Sequence, residues 1–302
     1  MILVVGATGN LGGLVTRQLL AQGRPVRALV RGDGDAESLR RAGATLARGD
    51  LKDRASLTAA VEGAEVVVTT ANSAHRGGAD TIESVDRAGN ANLIDASRAA
   101  GVRQFVFVSA LGASPESPAP FLRAKGETEA RLRESGMPYT ILAPNVFMEV
   151  WVPAVVGAAV RAGRPVVLIG EGRRRHSFVS FRDVAAFIVA AIGQDGAINQ
   201  YLPIGGPVPL SWRDVVAAYE RAVGHDVPVQ CVVPGDPAIG LPDPMPSILA
   251  SMDTYDSPLD MTLLARAFRV DLTPIDAIVR EDLGRAGAAE LQAVRSASPA
   301  SA

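Results

Sequence analysis

Three glycines near the start of the chain have the spacing that lets a backbone wrap around a phosphate. Gly6, Gly9 and Gly12 recur at every third position, directly after the apolar run 1–5. In a strand–turn–helix unit, the first glycine permits a tight turn, the second lets a pyrophosphate approach the backbone, and the third lets the helix pack on the strand. The helix N-terminus adds free N–H groups and a partial positive charge. The pattern predicts a dinucleotide-binding turn; the alternative is an ordinary strand–helix turn with incidental glycines.

Arg31 closes the second predicted strand, at the position that meets the adenosine ribose in sheets of this kind. An acidic residue there would bind the free ribose hydroxyls of NAD. A guanidinium instead matches the charge and shape of the 2′-phosphate of NADP. The sequence therefore favours NADP over NAD. Two alternatives stay open: Arg31 is a solvated surface residue, or Asp33 and Asp35 neutralise it.

Apolar runs and glycine stops alternate through the first half of the chain in the rhythm of strands and helices. Strands are predicted at residues 1–5, 25–31, 44–47, 66–70, 104–109 and 139–142, with helices between them. This alternation predicts an α/β fold with a Rossmann-type, doubly wound parallel sheet. Ligands of such sheets bind beyond the carboxyl ends of the strands.

The rhythm loosens after Pro144 and predicts a smaller C-terminal α/β substrate lobe. Helices are predicted at 151–162 and 183–192, after a serine cap at Ser211, and after Thr273; strands are predicted at 166–169, 178–180 and 227–233. We therefore expect an NAD(P)-binding domain at 1–150, a substrate-binding lobe at 151–285 that intertwines with it, and a flexible tail at 286–302. Residues 234–258, with a short helix around Ile248, form a long loop whose role stays open.

Composition excludes several classes of protein. The 302 residues carry a formal net charge of -2, which predicts neither a nucleic-acid nor an acidic-membrane partner. The single cysteine, Cys231, cannot form an internal disulfide, and no leader or membrane-spanning pattern is present, so we expect a cytoplasmic protein. His75, His176 and His225 lie far apart and lack ligand spacing, which predicts no metal site.

Six short motifs occur in order and together resemble one protein family. They are Val-Gly-Ala-Thr-Gly-Asn-Leu-Gly at 5–12, Val-Arg at 30–31, Gly-Asp-Leu at 49–51, Ala-Ala-Gly-Val at 99–102, Phe-Val-Ser at 107–109 and Leu-Ala-Pro-Asn at 142–145. The chain is similar to the NmrA-like branch of the atypical short-chain dehydrogenase/reductases. That branch includes NADPH quinone oxidoreductases, isoflavone-reductase-like enzymes and a redox-sensing transcriptional regulator. The resemblance covers about residues 1–190 well and the remainder loosely.

The resemblance implies a set of cofactor-binding residues drawn from the glycine turn and the strand ends. They are Gly6, Thr8, Gly9, Asn10 and Leu11 for the pyrophosphate with Gly12 in the helix, Arg31 for the 2′-phosphate, Asp50 and Leu51 for adenine, Thr70 and Ala71 for the cofactor ribose, Lys125 for the nicotinamide ribose, and Pro144 and Asn145 for the nicotinamide pocket.

The candidate catalytic residues depart from the usual pattern of short-chain dehydrogenases. Where those enzymes have Tyr-x-x-x-Lys, this chain has Phe121 and Lys125, and phenylalanine has no proton to give. Lys125 falls on the packed side of its predicted helix, although pairing with Glu129 on the surface is the alternative. Ser109 fits the family's substrate-polarising serine, and is otherwise a strand-end residue. The resemblance implies Lys125 and Ser109 as catalytic residues.

Two functions follow, with a third disfavoured. The first is an NADPH-dependent oxidoreductase that transfers hydride to a small flat acceptor such as a quinone or enone, with protons from water or Lys125. The second is a non-catalytic NADP(H)-binding redox sensor, which the phenylalanine at position 121 favours. A sugar-nucleotide isomerase is the third, and the missing tyrosine argues against it. We expect a small-molecule partner, and leave monomer and homodimer both open.

Overall fold

The computed structural model describes residues 1–284 apart from 33–35, 75, 237–239 and 242. The predictions made for Asp33, Asp35, His75 and the tail at 286–302 lie outside these described residues. None of the described helices is both long and apolar enough to cross a membrane.

Seven strands form one parallel sheet in the order β3-β2-β1-β4-β5-β6-β8, and β7 and β9 form a separate two-stranded sheet. The strands are β1 (Ile2–Val5), β2 (Val26–Val30), β3 (Thr45–Arg48), β4 (Val66–Thr69), β5 (Gln104–Val108), β6 (Tyr139–Pro144), β7 (Val166–Ile169), β8 (Gln200–Ile204) and β9 (Val229–Val232). The strand order reverses between β1 and β4, which is where ligands of doubly wound sheets bind. The predicted fold class is confirmed.

Helices connect the strands, and several have irregular turns. They are α1 (Asn10–Ala21), α2 (Ala36–Arg41), α3 (Arg54–Val61), α4 (Ala88–Ala99), α5 (Pro120–Glu134), α6 (Met148–Val152), α7 (Ala158–Arg161), α8 (Phe181–Ala191), α9 (Trp212–Val223), α10 (Met245–Met252), α11 (Thr262–Phe268) and α12 (275–284). A π-helical turn at Ile82–Arg87 leads into α4, and another at Pro153–Gly157 joins α6 to α7.

The large sheet is covered by helices on both faces. Leu3 and Val67 belong to a buried cluster with Leu93 of α4 and Leu132 of α5. Val4, between two residues of that cluster, is equally buried and points to the opposite face, because side chains alternate along a strand. On that opposite face α1 and α8 pack against each other. The strands therefore read as continuous apolar runs, as expected of a sheet buried on both sides.

In the later part of the chain one strand was missed and one predicted strand was wrong. β8 was not predicted, and it pairs in parallel with β6 at the sheet edge, with Leu142 opposite Leu202. Residues 178–180 were predicted as a strand, but they form only an isolated bridge between Phe147 and Val179. Phe178 is buried because its ring contacts Trp212 edge-on, 5.0 Å between centroids. Its apolar character therefore reflects tertiary packing and not strand pairing.

The helix predicted after residue 82 begins with a π-helical turn, and a side chain explains it. The Asn90 amide donates to the carbonyl oxygens of Asp86 and Val85, at 3.0 and 3.4 Å. Thr69, at the end of β4, donates to the same amide through its hydroxyl, at 3.3 Å. A side chain that bonds to helix carbonyls disturbs the regular i→i+4 ladder. The turn carries Asp86 into the protein interior.

The chain divides into two compact units. Among the described residues, the first contains Met1–Pro144, Phe181–Ile204 and Leu263–Asp271, and the second contains Asn145–Ser180, Gly205–Thr262 and residues 272–284. The second unit has its own buried core, which includes Met148, Phe178, Trp212 and Tyr219. The functional division into a cofactor domain at 1–150 and a substrate lobe at 151–285 stays a prediction.

Candidate functional site

The glycine turn after β1 is shaped by close backbone contacts. Gly6 has a φ of +84, a backbone conformation that residues with a side chain rarely adopt. The Gly9 amide donates to the Gly6 carbonyl at 2.9 Å. A Cβ on Gly12 would collide with that carbonyl and lie 2.7 Å from the hydroxyl oxygen of Thr70. Gly6 and Gly12 are therefore required by the geometry of the turn itself, whereas a Cβ on Gly9 would lie 3.2 Å from the Gly6 carbonyl oxygen.

The N-terminus of α1 leaves its first turn without a side-chain partner. Gly9 is the N-cap and makes no side-chain cap, and the first turn holds no acidic residue. The unpaired N–H groups of a helix start attract an anion, and the helix dipole adds to this attraction. Asn10 is exposed, whereas Leu11 is buried beneath the turn. The turn thus fits a phosphate through its backbone.

A cavity of about 220 Å³ brings six of the fourteen predicted cofactor residues together. Its lining is Val5, Gly6, Thr8, Leu29, Arg31, Gly32, Gly49, Asp50, Leu51, Ala71, Arg76 and Val85. The cavity joins the glycine turn to the carboxyl ends of β2, β3 and β4, as expected of parallel strands. Its lining combines apolar side chains with the cation Arg31 and the carboxylate Asp50.

Asp80 lies at the centre of a charged cluster beside this cavity. Its carboxylate accepts hydrogen bonds from Arg31 and Lys52, and Arg76 lies 3.7 Å away. Asp50 is 3.5 Å from Lys52 and 4.0 Å from Arg31. The hydrogen bond from Lys52, with the guanidinium of Arg31, lowers the pKa of Asp80 from 3.8 to about 2. The same bond raises the pKa of Lys52.

The sequence predicted Arg31 and Asp50 at this place but missed the other three members of the cluster. Lys52 follows the Gly-Asp-Leu motif at 49–51, and Arg76 and Asp80 belong to the polar loop after β4. Their only signal was position, since the loops after β3 and β4 must both lie at the carboxyl edge of the sheet.

Lys125 is buried in α5, with 2% of its surface exposed, which confirms that it faces the packed side of the helix. Its ammonium donates to the Val108 carbonyl at 3.1 Å and lies 3.8 Å from an Asp86 carboxylate oxygen. The rings of Phe107 and Phe121 are 5.0 and 5.4 Å away. Burial lowers the pKa of Lys125, and the nearby Asp86 carboxylate opposes that shift.

Asp86 is the buried counter-charge of Lys125, and the sequence did not single it out. One carboxylate oxygen, Oδ2, accepts from the Ser73 amide at 3.0 Å and from the Ser73 hydroxyl at 2.6 Å. The other, Oδ1, has no hydrogen-bond partner among the described residues and faces Lys125. Asp86, Asn90 and Leu93 recur at helical spacing and so share one face of the helix. A carboxylate on the same face as an apolar residue such as Leu93 was the feature of the sequence that could have pointed to Asp86.

Ser109 follows β5 and is held by an acidic side chain. Its hydroxyl donates to Glu129 at 2.5 Å, and Arg133 donates to the second oxygen of the same carboxylate at 2.9 Å. Glu129 is therefore bonded to Ser109 and Arg133 and not to Lys125, the partner considered from the sequence. The structure brings Ser109 and Lys125 to the same strand end, because Lys125 bonds to Val108.

Three further predicted cofactor residues contact other parts of the chain and do not line the cavity. The Thr70 hydroxyl donates to the Val5 carbonyl at 3.3 Å, next to the glycine turn. The Asn145 amide donates to the carbonyl and hydroxyl oxygens of Ser257, at 3.0 and 2.9 Å. Pro144 is the last residue of β6. Their roles toward a cofactor stay predictions.

The histidines that the structure describes make protein contacts. The His176 ring bonds to the Ser257 hydroxyl at 2.7 Å and to the Met252 carbonyl at 3.2 Å, and burial lowers its pKa. His225 is exposed. Within the described ranges no group of three or more His, Cys, Asp or Glu side chains is placed to hold a metal ion.

Comparison with known proteins adds three findings. Residues 6–195 match the NAD(P)H-binding family. The chain is 36% identical over 228 residues to an NAD(P)H azoreductase of Xenophilus azovorans, which covers 75% of each chain. It is 32% identical over 230 residues to the photosystem II assembly factor Ycf39 of Cyanophora paradoxa, covering 76% of this chain and 70% of that protein.

A solved structure extends the similarity to almost the whole chain. It is the NADPH-dependent quinone oxidoreductase QOR2 of Escherichia coli in complex with NADPH, with a TM-score of 0.78 and 27% sequence identity. The match covers 93% of this chain and 99% of that one.

Proposed function

The chain belongs to the NAD(P)H-binding family, in the NmrA-like group of atypical short-chain dehydrogenase/reductases, and on that premise we propose that it is an NADPH-dependent reductase of small flat acceptors. One observation carries the proposal: a single cavity joins the uncapped glycine turn to Arg31. That arrangement supports binding of a pyrophosphate at one end and of a 2′-phosphate at the other.

Each part of the cavity has a proposed partner on the cofactor. The backbone at Gly6, Thr8 and Gly9 holds the pyrophosphate through N–H groups and the dipole of α1. Arg31 binds the 2′-phosphate. Leu51, with Asp50 beside it, flanks the adenine, where an apolar side chain next to a polar one suits a heteroaromatic ring.

A flat conjugated acceptor suits the residues around Lys125. Bound NADPH supplies a hydride. Phe121 stands where a tyrosine would donate a proton, so an acceptor that needs an enzyme-bound acid is disfavoured. A quinone or azo acceptor takes hydride onto a conjugated system and then a proton from water. The relatives named as a quinone oxidoreductase and an azoreductase support this class.

Lys125 and Ser109 are the proposed residues at the reacting end. We propose that Lys125 hydrogen-bonds the nicotinamide ribose, for which its ammonium must exchange the Val108 carbonyl for a ribose hydroxyl. Ser109 polarises the acceptor only if its hydroxyl exchanges its bond to Glu129. Both residues therefore position ligands by partner exchange, and positioning is the main source of catalysis expected here.

The second candidate function is a non-catalytic NADP(H)-binding protein. It is favoured by the same contacts, because both polar groups at the end of β5 are already bonded within the protein. The similarity to a protein named as an assembly factor also supports it.

Oxidation of NADPH tests the two functions against each other. The protein is mixed with NADPH or NADH and a panel of quinones, azo dyes and enones, and absorbance is followed at about 340 nm, the reduced nicotinamide band. We expect turnover with at least one quinone or azo dye, and faster turnover with NADPH. Tight NADPH binding without oxidation by any acceptor would contradict the reductase and support the second function.

A further inference from the structure

The carboxylate of Asp80 bonds to the cations that line or flank the basic end of the cavity. Its oxygens accept from Arg31 and Lys52, and only 7% of its side chain is exposed. A tight turn presents it: the Asp80 amide donates to the Gly77 carbonyl at 3.2 Å, and Gly77 and Gly78 have φ values of +72 and +61. The backbone thus fixes this carboxylate next to Arg31.

The charges of the cluster leave little positive charge for a ligand. Arg31, Lys52 and Arg76 contribute three positive charges, and Asp50 and Asp80 two negative ones, so the formal sum is 3 − 2 = +1. A phosphate monoester carries about −1.5 to −2 at neutral pH. Guanidinium and ammonium groups bind carboxylates and phosphates through the same N–H donors. A 2′-phosphate at Arg31 therefore competes with Asp80 for the same hydrogen bonds.

We propose that Asp80 is an internal competitor of the 2′-phosphate, and that Lys52 is a second phosphate-binding residue beside Arg31. The proposal rests on the proposed function and deepens it, since it concerns how the same site discriminates between NADPH and NADH. When the phosphate binds, it takes the donors of Arg31 and Lys52, and Asp80 turns to solvent. Asp80 consequently lowers the affinity for NADPH and leaves that for NADH nearly unchanged.

The anchoring of the loop allows this exchange to stay local. Ser73, at the start of the same loop, is fixed by its two hydrogen bonds to the buried Asp86. Displacement of the Asp80 side chain breaks neither of these two hydrogen bonds. The alternative is that Asp80 holds Arg31 and Lys52 in place for the phosphate. In that case, removing Asp80 would weaken binding of the 2′-phosphate instead of strengthening it.

Binding of two nucleotide fragments to the full-length protein tests the proposal without any turnover. Calorimetry measures the affinity for 2′,5′-ADP, which carries the 2′-phosphate, and for 5′-AMP, which lacks it. Asp80→Asn removes one negative charge next to the phosphate, so we expect about tenfold tighter 2′,5′-ADP binding and 5′-AMP binding within about twofold of the wild type. Lys52→Met should weaken only 2′,5′-ADP binding.

Asp95→Asn is the matched control, because Asp95 is also shared by two arginines. It pairs with Arg54 at 2.9 Å and Arg131 at 2.7 Å, and it does not line the cavity. We expect it to change neither affinity. Asp80→Ala serves as a second variant and should change 2′,5′-ADP binding in the same direction as Asp80→Asn.

The outcomes separate this proposal from the cofactor assignment. Unchanged or weaker binding of 2′,5′-ADP by both Asp80 variants would overturn the competitor role. So would an equal gain for both nucleotides, which would mark a general effect of charge. A wild type that binds 2′,5′-ADP no tighter than 5′-AMP would contradict the NADPH preference, while a selective gain in Asp80→Asn would still support the competitor.

Discussion

The first unit contains two charged centres, each built from carboxylates and basic side chains, and they differ in how far they are buried. At the cavity, Asp80 bonds to cations that are partly exposed, with 48% of the Arg31 side chain accessible. At the end of β5, Asp86 and Lys125 form a pair with 0% and 3% of their side chains exposed. Only five residues separate Asp80 from Asp86 in the chain.

The difference shows how burial assigns a role to a charged pair. The cations beside Asp80 favour its charged form and lower its pKa, so that centre keeps its charges and can only exchange partners. Burial disfavours the charged form of Lys125 and lowers its pKa. The protonation state of this buried pair therefore depends on its surroundings. The exposed centre, whose cations can exchange one anionic partner for another, suits recognition of a phosphate. The buried centre, where the surroundings set the protonation state of the Lys125 amine, suits the reacting end of a cofactor.

The largest expected effect comes from breaking the buried pair. Asp86→Asn leaves the Lys125 ammonium without its counter-charge in the interior. Removal of one partner of a buried ion pair costs about 3–5 kcal/mol of unfolding free energy. Asp95→Asn, in the more exposed pair with Arg54 and Arg131, should cost at most about 1 kcal/mol. Denaturant titration of both variants measures the contrast, and equal losses would contradict it.

A double variant sharpens the same point. Asp86→Asn combined with Lys125→Met removes both charges, so its loss of stability should be smaller than the sum of the two single losses. Additive losses would show that Asp86 stabilises the protein through Ser73 and not through Lys125.

Arg31→Ala is expected to have the next largest effect, at the exposed centre. It removes the guanidinium proposed for the 2′-phosphate, so the ratio of NADPH to NADH affinity should fall about tenfold or more, toward one. Arg54→Ala removes an exposed arginine that does not line the cavity, and it should leave the ratio unchanged. An unchanged ratio in Arg31→Ala would refute the cofactor preference.

Lys125→Met should separate the two centres through two measurements on one variant. The substitution leaves the charged cluster intact, so the affinity for 2′,5′-ADP should stay within about twofold of the wild type. Loss of the ribose contact should lower kcat/KM for NADPH about tenfold, if the protein is a reductase. Weaker binding of 2′,5′-ADP would show that the centres are coupled.

The smallest effect concerns acid pH and Asp80. Its pKa is 3.8 when unperturbed and about 2 in the folded protein, so the unfolded chain takes up the proton first. Its stabilising contribution is therefore complete above pH 3.8 and is lost as the pH falls through about 2. Thermal melts should show the wild type above Asp80→Asn at pH 5, with the gap closing by about pH 2. A gap that does not depend on pH would contradict an electrostatic origin.

Lys125 should make stability depend on pH in a second window, which ends at the ordinary lysine pKa of 10.5. Its pKa in the folded protein lies below the ordinary 10.5, so the folded state binds the proton less well than the unfolded chain. Stability should increase as the pH rises from the folded pKa toward 10.5, and Lys125→Met should abolish that increase.

Sequence patterns predicted the first six strands because each is an apolar run that ends near a glycine or polar residue. The remaining strand of the large sheet, β8, was not predicted because its sequence, Gln-Tyr-Leu-Pro-Ile, contains Pro203, which argues against a central strand. An edge strand tolerates a proline, since one side of its backbone needs no partner. The edge position of β8 could be known only from the assembled sheet.

The candidate site was predictable where it depends on strand ends and not where it depends on contacts between loops. Arg31 and Asp50 could be placed because Arg31 directly follows β2 and Asp50 lies two residues after the end of β3. Asp80 and Asp86 could not be placed, because an ion pair between residues far apart in the chain produces no periodic pattern in the sequence. The helical spacing around Lys125 predicted which face of the helix it lies on. It could not predict its partner, Asp86, which lies on a different helical segment.

The arrangement of the large sheet has a consequence for protein synthesis. β6 ends at Pro144, but its neighbour β8 ends only at Ile204, and α8, which packs on α1, lies between them. At about 5–20 residues per second, the roughly 60 intervening residues take about 3–12 seconds to translate. During that interval a nascent chain exposes an unpaired edge of β6 and the apolar side of α1. We therefore expect the emerging protein to depend on chaperones until residue 204 has left the ribosome.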